Sequence, residues 1–428
     1  MKSKIRSLIA DYRIITWIYL LFALGASVQC ILLGSKTIQY EEFTYEHYNY
    51  NNYIIFKSSF QHLKEGKNLY KRYPQEHQDF FKYTPTFAVF FGIFSILPNW
   101  AGLSLWTFIN CFILLLAIYS LPQLNQYQKG LILIICLIEA MTSMQNQQSN
   151  LLIAGLLILS FSLLERKKYL IATLCIVSST FIKLFGIFGI VLFLFYPQKW
   201  KLAFYSIFWT LLVFSIPLFY INLEQYRFLI HSYGNLLSDD YAISYGFSVM
   251  GWLHSWLGIE LDKNFIILIG AGTFLVPLIQ VKKYNHYTFR LLTLSSLLIW
   301  LVIFNHRAES ATYIIAMTGV SIWLILSRKS KINILLFVNA FILTSLSPTD
   351  IFPASLRDEF VRPYVLKAFP CILIWFKIIF DMVFEERRQR KVKPLPQIKV
   401  KKQSLLTLYV GISLHLYILA ENTFKSLQ

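Results

Sequence analysis

Residues 73–85 bring together the side chains that acid–base chemistry requires. The segment reads Tyr-Pro-Gln-Glu-His-Gln-Asp-Phe-Phe-Lys-Tyr-Thr-Pro, so two carboxylates, Glu76 and Asp79, closely precede Lys82. A carboxylate can take the proton of a hydroxyl group, and an ammonium group can stabilise a departing anion. The pattern predicts chemistry on a polar substrate at a bilayer surface. The alternative interpretation is a solvated loop whose charges simply face water.

Asn52 stands at the start of a predicted amphipathic helix in the same region. The apolar side chains follow at spacings of three, four and three: Tyr53, Phe56, Phe60 and Leu63. Lys57, Gln61 and Lys64 take the other face, and Gly66 can end the helix. One interpretation makes Asn52 a helix cap. The functional interpretation uses the N–H groups of the helix N-terminus, which can bind an anion or a sugar hydroxyl.

Further polar clusters interrupt the apolar sequence downstream. They are residues 145–150 with Gln145, Gln148 and Asn150, the isolated Lys183, and residues 305–309 with His306, Arg307 and Glu309. Charges near lipid are costly and usually mark a substrate path or an internal ion pair. Lys183, His306 and Arg307 together suit a phosphate, because lysine offers a point charge and arginine a two-pronged donor. The alternative is an internal ion pair, for instance of Arg307 with Glu309.

The composition excludes a soluble globular domain, because 56% of the 428 residues are apolar and only 14% are charged. The net charge of +18 comes largely from short basic loops beside apolar runs, which favours a membrane protein over a nucleic-acid-binding protein.

No nucleotide-binding or HExxH motif occurs, and the five cysteines lie inside apolar runs. We therefore predict no cofactor and no metal-ligating residues, and the sequence leaves open whether a divalent cation takes part. Asp239 and Asp240 form an acidic pair without a third ligand, so they are a weak cation site.

The apolar runs predict an all-α polytopic membrane protein with about twelve transmembrane helices. The predicted spans are 14–34, 100–121, 130–143, 149–164, 169–181, 184–196, 202–221, 265–281, 291–305, 312–326, 332–346 and 365–384. Basic residues at both ends place both termini in the cytoplasm. The transmembrane domain is thus 1–384, with a helical first extracytoplasmic loop at 35–99, and residues 385–428 form a basic cytoplasmic tail.

Two apolar stretches are not predicted to be simple transmembrane helices. Residues 169–195 lie between the basic clusters 166–168 and 199–201, so the chain should cross outward and return, turning near Lys183. The alternative is one long tilted helix with a buried lysine. Residues 85–97 are too short to span and lie between two prolines, which predicts an interfacial or re-entrant helix on the outer side.

The order of these motifs resembles glycosyltransferase family 87, whose members are membrane-embedded GT-C enzymes related to polyprenyl-phosphate mannosyltransferases. The segments that carry the resemblance are residues 52–56, 63–70, 81–87, 97–98, 148–152 and 181–184. The Lys-Tyr-Thr-Pro element at 82–85, the Gln-Ser-Asn-Leu-Leu segment and the lysine before an apolar helix match the family's pattern. The resemblance extends over residues 14–330.

The resemblance implies inverting transfer of a hexose, with mannose as the expectation, from a polyprenyl-phosphate donor to a glycan or glycolipid acceptor. The reaction would take place on the extracytoplasmic face of a bacterial cell membrane. A carboxylate early in the first loop would take the acceptor proton. The family's usual aspartate aligns with Asn52, and an amide cannot act as that base.

Another carboxylate must therefore act as the base, or the branch has altered activity. We predict Asp79, with Glu76 second because it should be the more exposed; Glu41, Glu42 and Glu46 lie in a tyrosine-rich approach without a fixed scaffold. The expected donor phosphate contacts are Lys82, Lys183, His306 and Arg307. The expected substrate contacts are Tyr83, Gln145, Gln148, Asn150 and Glu309. The alternatives to an enzyme are a transporter or flippase for a lipid-linked or anionic solute, and a non-catalytic assembly subunit.

Overall fold

A computed structural model of the chain describes residues 2–40, 43–77, 79–239 and 245–384. The predicted basic tail at 385–428, the carboxylates Glu41 and Glu42, and Asp240 of the acidic pair lie outside the described residues.

The described residues are predominantly helical. Their α-helices are α1 Lys2–Ala10, α2 Tyr12–Leu32, α3 Asn51–Lys64, α4 Pro85–Ser95, α5 Asn99–Ser120, α6 Gln126–Gln145, α7 Asn150–Glu165, α8 Tyr169–Ile182, α9 Lys199–Ser215, α10 Leu223–Asp239, α11 Val249–Leu257, α12 Lys263–Leu275, α13 Tyr287–Ile303, α14 Tyr313–Leu326, α15 Lys331–Asn339, α16 Ala354–Leu356 and α17 Phe369–Phe384. Segments of 3-10 helix cover Leu184–Phe195, Ile216–Phe219, Val276–Ile279, Val281–Lys283 and Ser310–Thr312, and π-helix covers Ala340–Leu346 and Arg357–Val361.

Each of the twelve predicted spans coincides with at least one of these helices. Within the described residues, four helical segments are long and apolar enough to cross a membrane: Tyr12–Leu32, Asn99–Ser120, Gln126–Gln145 and Lys199–Phe219. The other apolar helices are shorter, from 10 to 17 residues. The predominantly helical architecture of a membrane protein is thereby confirmed, and the number of crossings stays a prediction.

The chain reverses direction at Lys183, as the flanking basic clusters predict. Lys183 has extended backbone angles between α8 and the 3-10 helix Leu184–Phe195. At the far ends of the two helices, the rings of Tyr169 and Tyr196 lie 6.4 Å apart, and the Tyr196 hydroxyl donates to Glu165 over 2.6 Å. The two basic clusters therefore lie at the same end of the helix pair, and the alternative of one long helix is wrong.

An antiparallel β-hairpin precedes α3 in the first loop. Strand β1, Ser35–Tyr40, pairs with β2, Phe43–Tyr48, in a register that sets Ser35 opposite Tyr48. The all-α prediction missed this hairpin, and the expectation that Glu46 lacks a scaffold is wrong. Its carboxylate accepts hydrogen bonds from the hydroxyls of Ser35 and Thr37 across the pair of strands.

The predicted short helix after Pro85 is present as α4, and it is buried in protein more than an interfacial helix would be. The Thr84 hydroxyl caps it by accepting from the Phe87 N–H, and Pro85 takes the first turn, where its missing N–H costs nothing. Three of its rings form one core with α3 and α5: Phe87, Phe91 and Phe94 pack edge-on against Phe56 and Trp106. This aromatic core anchors the first loop to the helical bundle.

A fully buried ion pair lies where α6 meets the segment before α17. The Lys367 ammonium is 2.7 Å from a Glu139 carboxylate oxygen, and both side chains are almost without exposure. The Lys367 ammonium also lies 5.2 Å from the centre of the Tyr313 ring. This pair was not predicted from the sequence, because Glu139 and Lys367 belong to two predicted spans, 130–143 and 365–384, that are far apart in the sequence.

Removing one partner of this pair should destabilise the fold. Lys367→Met leaves an uncompensated buried carboxylate, which costs about 3–5 kcal/mol of unfolding free energy, whereas Glu139→Gln together with Lys367→Met should recover most of the loss. The exposed pair of Arg362 with Asp358 is the control, and Arg362→Met should cost about 1 kcal/mol or less. Unfolding of the purified variants in detergent measures this; a harmless Lys367→Met would contradict it.

The reversal at Lys183 predicts that both basic clusters face the same side of the membrane. All five native cysteines are buried, so single cysteines introduced as Lys167→Cys and Trp200→Cys report on their own positions. Both should react with an impermeant thiol reagent from the cytoplasmic side. Labelling of the two positions from opposite faces would rule out this topology.

A candidate sugar-transfer site at the Lys183 turn

A chain of hydrogen bonds joins four of the predicted site residues. The Lys183 ammonium donates to the Asn150 side-chain oxygen over 2.8 Å, the Asn150 amide donates to the Gln148 oxygen over 2.5 Å, and the Gln148 amide donates to Glu309 over 2.5 Å. We call Lys183, Asn150, Gln148 and Glu309 the polar chain. It links the helix reversal, the start of α7 and the segment between α13 and α14, so it brings together residues that the sequence only suggested might meet.

The direction of every bond in the polar chain is set by its ends. Lysine can only donate and an ionised carboxylate can only accept, so each amide must turn its oxygen toward Lys183 and its NH2 group toward Glu309. Asn150 also donates to the Ala311 carbonyl over 2.9 Å, which holds its amide in that orientation. The side chain of Asn150 is fully buried, whereas Glu309 is exposed. The polar chain thus connects a cation to a carboxylate at the protein surface.

Tyr83 lies beside the polar chain. The Lys183 ammonium is 5.8 Å from the centre of its buried ring, and the Tyr83 carbonyl accepts from the Tyr70 hydroxyl over 3.0 Å. The neighbouring Thr84 hydroxyl donates to the Phe181 carbonyl, just before Lys183. The Lys-Tyr-Thr-Pro element and the Lys183 turn are therefore in direct contact. Lys82 is exposed and interacts electrostatically with Lys183.

The segment 305–309 is shaped by close backbone contacts. The Asn305 side chain accepts from the Arg307 N–H over 3.0 Å, and the Phe247 N–H donates to the Ala308 carbonyl over 2.9 Å. Gly246 has a positive φ of 49°, and a Cβ there would lie 2.5 Å from the His306 carbonyl oxygen, so a larger residue cannot fit. His306 is largely buried.

Arg307 interacts with the tyrosines beside the polar chain. It interacts electrostatically with Tyr233, whose ring stacks on Tyr70 at 5.1 Å. Tyr70 in turn hydrogen-bonds to Tyr83. Lys183 and Arg307 therefore each interact with one member of a connected group of tyrosines, Tyr70, Tyr83 and Tyr233.

Asn52 does not cap α3, contrary to the first of its two interpretations. The residue before the helix is Tyr50, which makes no side-chain cap, and Asn52 lies within the first turn. Its amide donates to the Asn146 carbonyl over 2.8 Å. Asn52 is thus tied to the loop between α6 and α7 that also carries Gln148.

The two predicted base candidates occupy different surroundings. Asp79 accepts from the Asn51 amide over 2.8 Å, one residue from Asn52. Glu76 lies 3.0 Å from the His62 imidazole, which is buried and packs at a tilt against the Tyr73 ring, with the ring centres 3.9 Å apart. The expectation that Glu76 is the more exposed is wrong: Asp79 is exposed and Glu76 is partly buried.

Burial and neighbouring charges shift the pKa values of Glu76 and His77 in this loop. Partial burial by itself raises the pKa of Glu76. The hydrogen bond and the electrostatic interaction with His62 lower the pKa by more than burial raises it, so the pKa of Glu76 lies below its ordinary value. Burial lowers the pKa of His77, whose ring nitrogen lies 2.8 Å from the Asp79 carbonyl. Near neutral pH, Glu76 is therefore an ionised partner of His62.

Some site residues fall elsewhere or were missed by sequence reasoning. Gln145 donates to Gln29 at the end of α2 over 2.6 Å. Asn51 was missed although it adjoins Asn52, and Asn146 was missed because its contribution is a backbone carbonyl. Tyr233 was missed because it lies between the predicted spans 202–221 and 265–281, where the structure contains α10 and α11.

Comparison with known proteins gives one family match. No curated protein sequence matches the chain. The sequence model of glycosyltransferase family 87 matches residues 80–304, which include Tyr83, Gln148, Asn150 and Lys183. Asn52, Asp79 and the segment 305–309 fall outside the matched range. Because the match covers more than half of the chain, the protein belongs to glycosyltransferase family 87.

Proposed function

We propose that the protein transfers a hexose, with mannose as the first candidate, from a polyprenyl-phosphate donor to an acceptor hydroxyl, with inversion. Transfer would occur on the extracytoplasmic face of a bacterial cell membrane, with both termini in the cytoplasm. The observation that carries the proposal is the polar chain beside Tyr83. It sets a lysine that can contact phosphate next to the family's Lys-Tyr-Thr-Pro element and the segment that carries Arg307.

In this proposal, Lys183 and Arg307 bind the donor phosphate, with Lys82 and His306 as further contacts. Lysine contributes a point charge and arginine two parallel donors, which suits a phosphate ester. The positive charges also oppose the negative charge that develops on the phosphate as the sugar leaves. Gln148, Asn150 and Glu309 orient Lys183 and contact the substrate, together with Tyr83.

Asp79 acts as the base in this proposal. The acceptor hydroxyl gives its proton to the Asp79 carboxylate, and the acceptor oxygen forms a bond to the anomeric carbon of the donor. The bond from that carbon to the phosphate oxygen breaks, and its electron pair leaves with the lipid phosphate. Asn52 contacts the sugar or orients the acceptor. The hydrogen bond of Asp79 to Asn51 and the pairing of Glu76 with His62 support this choice between the two carboxylates.

Loss of a phosphate-binding charge should slow transfer. Lys183→Ala or Arg307→Ala removes a charge-assisted contact worth about 1.5–3 kcal/mol, which corresponds to a loss of more than tenfold in transfer rate. Lys183→Arg keeps the charge and should recover part of the rate. Lys168→Ala, at the opposite end of α8, is the control and should have no effect. Transfer of radiolabelled sugar in membranes measures this, and unchanged rates in both folded alanine variants would refute the assignment.

Substitution of each carboxylate in turn tests which of the two acts as the base. Asp79→Asn should abolish most transfer, whereas Glu76→Gln should have a smaller effect, because Glu76 is engaged with His62. Asn52→Asp should be tolerated. Glu65→Gln, an exposed glutamate just after α3, is the matched control. Transfer that persists in the double variant Asp79→Asn with Glu76→Gln would eliminate both assignments.

A further inference from the structure

A cleft of about 620 Å3 opens in the first loop, apart from the polar chain. Its walls are the β-hairpin, one face of α3 and the segment that carries Glu76, and the ends of α4 and α5 also contribute. Sites for small molecules usually enclose about 300–1,000 Å3, so the cleft has room for a sugar unit. Of its lining residues, only Glu76 has a role among those proposed above.

Regular spacing brings the polar side chains to the cleft. On α3 the lining residues Ile54, Lys57, Ser58 and Gln61 recur at the spacing of one helical face. On strand β2, Thr44, Glu46 and Tyr48 alternate with other residues and share one face of the hairpin. A helix face and a strand face therefore enclose the same space.

The charged groups of the cleft are fixed by the protein. The Lys57 ammonium donates to the Leu97 carbonyl over 3.2 Å and to the Asn99 side chain over 2.7 Å. Glu46 is held by two hydroxyls and Glu76 by His62. These hydrogen bonds lower the pKa of Glu46, so both carboxylates are ionised at neutral pH. The groups are ordered before any ligand arrives, which reduces the entropy lost on binding.

The chemistry of the lining suits an uncharged polyol. Carboxylates accept hydrogen bonds from sugar hydroxyls, while the amides of Gln61 and Gln75 and the ammonium of Lys57 can donate to sugar oxygens. Tyr48 offers a ring surface for the apolar face of a sugar. Two carboxylates against one lysine give the cleft a net negative charge, which disfavours an anionic ligand.

Helix α3 connects the cleft with the proposed transfer site. Its first turn carries Asn51 and Asn52, which bind Asp79 and the Asn146 carbonyl. Ser58, on the cleft side of the same helix, is six residues further on, or about 9 Å along the helix axis. A ligand several sugar units long can therefore extend from the cleft toward Asp79.

We infer that this cleft holds an uncharged hexose unit of the acceptor glycan while a neighbouring hydroxyl is presented for transfer. The identification of the ligand as the acceptor rests on the proposed function. The binding of an uncharged sugar rests on the cleft alone.

Direct binding tests the inference on the full chain in lipid nanodiscs. The probes are mannotriose and a trisaccharide of equal length that carries a glucuronate, each measured by titration calorimetry. Mannotriose should bind and the anionic sugar should bind at least tenfold more weakly. Ser58→Trp fills the cleft and should weaken mannotriose binding more than tenfold. Glu46→Gln should weaken it several-fold and reduce the discrimination against the anionic sugar, whereas Glu359→Gln, at an exposed glutamate away from the cleft, should leave both affinities unchanged.

Transfer assays separate this inference from the proposed function. If mannotriose binds in the cleft but the unaltered protein transfers no sugar, the sugar-binding role of the cleft stands and the transferase assignment fails. If transfer proceeds and Ser58→Trp leaves the KM for the acceptor unchanged, the cleft is not the acceptor subsite. Equal binding of the two trisaccharides, or unchanged binding in both Ser58→Trp and Glu46→Gln, would also overturn the inference.

Discussion

The Lys183 ammonium lies where the chain reverses between two apolar helices, and it needs a polar partner there. An unpartnered charge in such surroundings carries a large desolvation penalty. Asn150 accepts its hydrogen bond, and the donor and acceptor roles of each later group follow from that first contact. The orientation of two amides and the connection to Glu309 thus depend on one lysine. Hydrogen bonds that polarise one another in sequence can strengthen such a chain.

Periodicity and charge predicted the helices well, because both act locally along the chain. The apolar runs predicted the long apolar helices but not α10, whose sequence mixes polar and apolar residues. The basic clusters at 166–168 and 199–201 predicted the reversal at Lys183, since lysine and arginine prefer the cytoplasmic side of a membrane. The hairpin was missed because its strands are short and rich in tyrosine and charged residues, with little alternation of apolar and polar side chains. The pair of Glu139 and Lys367 was missed because its members are 228 positions apart in the sequence.

Part of the site could also be predicted, because residue type and spacing are local properties of the sequence. Residue types indicated Lys183, Gln148, Asn150 and Glu309, and the structure joins them. The sequence could not predict that Asn52 would bind a backbone carbonyl, or that His62 would pair with Glu76. Both depend on how α3 packs against distant segments. Glu76 and Asp79 are three positions apart, yet one contacts His62 and the other Asn51.

In the proposed reaction, a lipid phosphate and no nucleotide delivers the sugar. The most direct measurement supplies the purified protein with radiolabelled polyprenyl-phosphate hexose and an oligosaccharide acceptor, without any nucleotide sugar, and follows the label. Our account predicts labelled oligosaccharide with inverted anomeric configuration and release of polyprenyl phosphate in equal amount. Label that stays on the lipid, while a nucleotide sugar supports transfer in a parallel reaction, would contradict it.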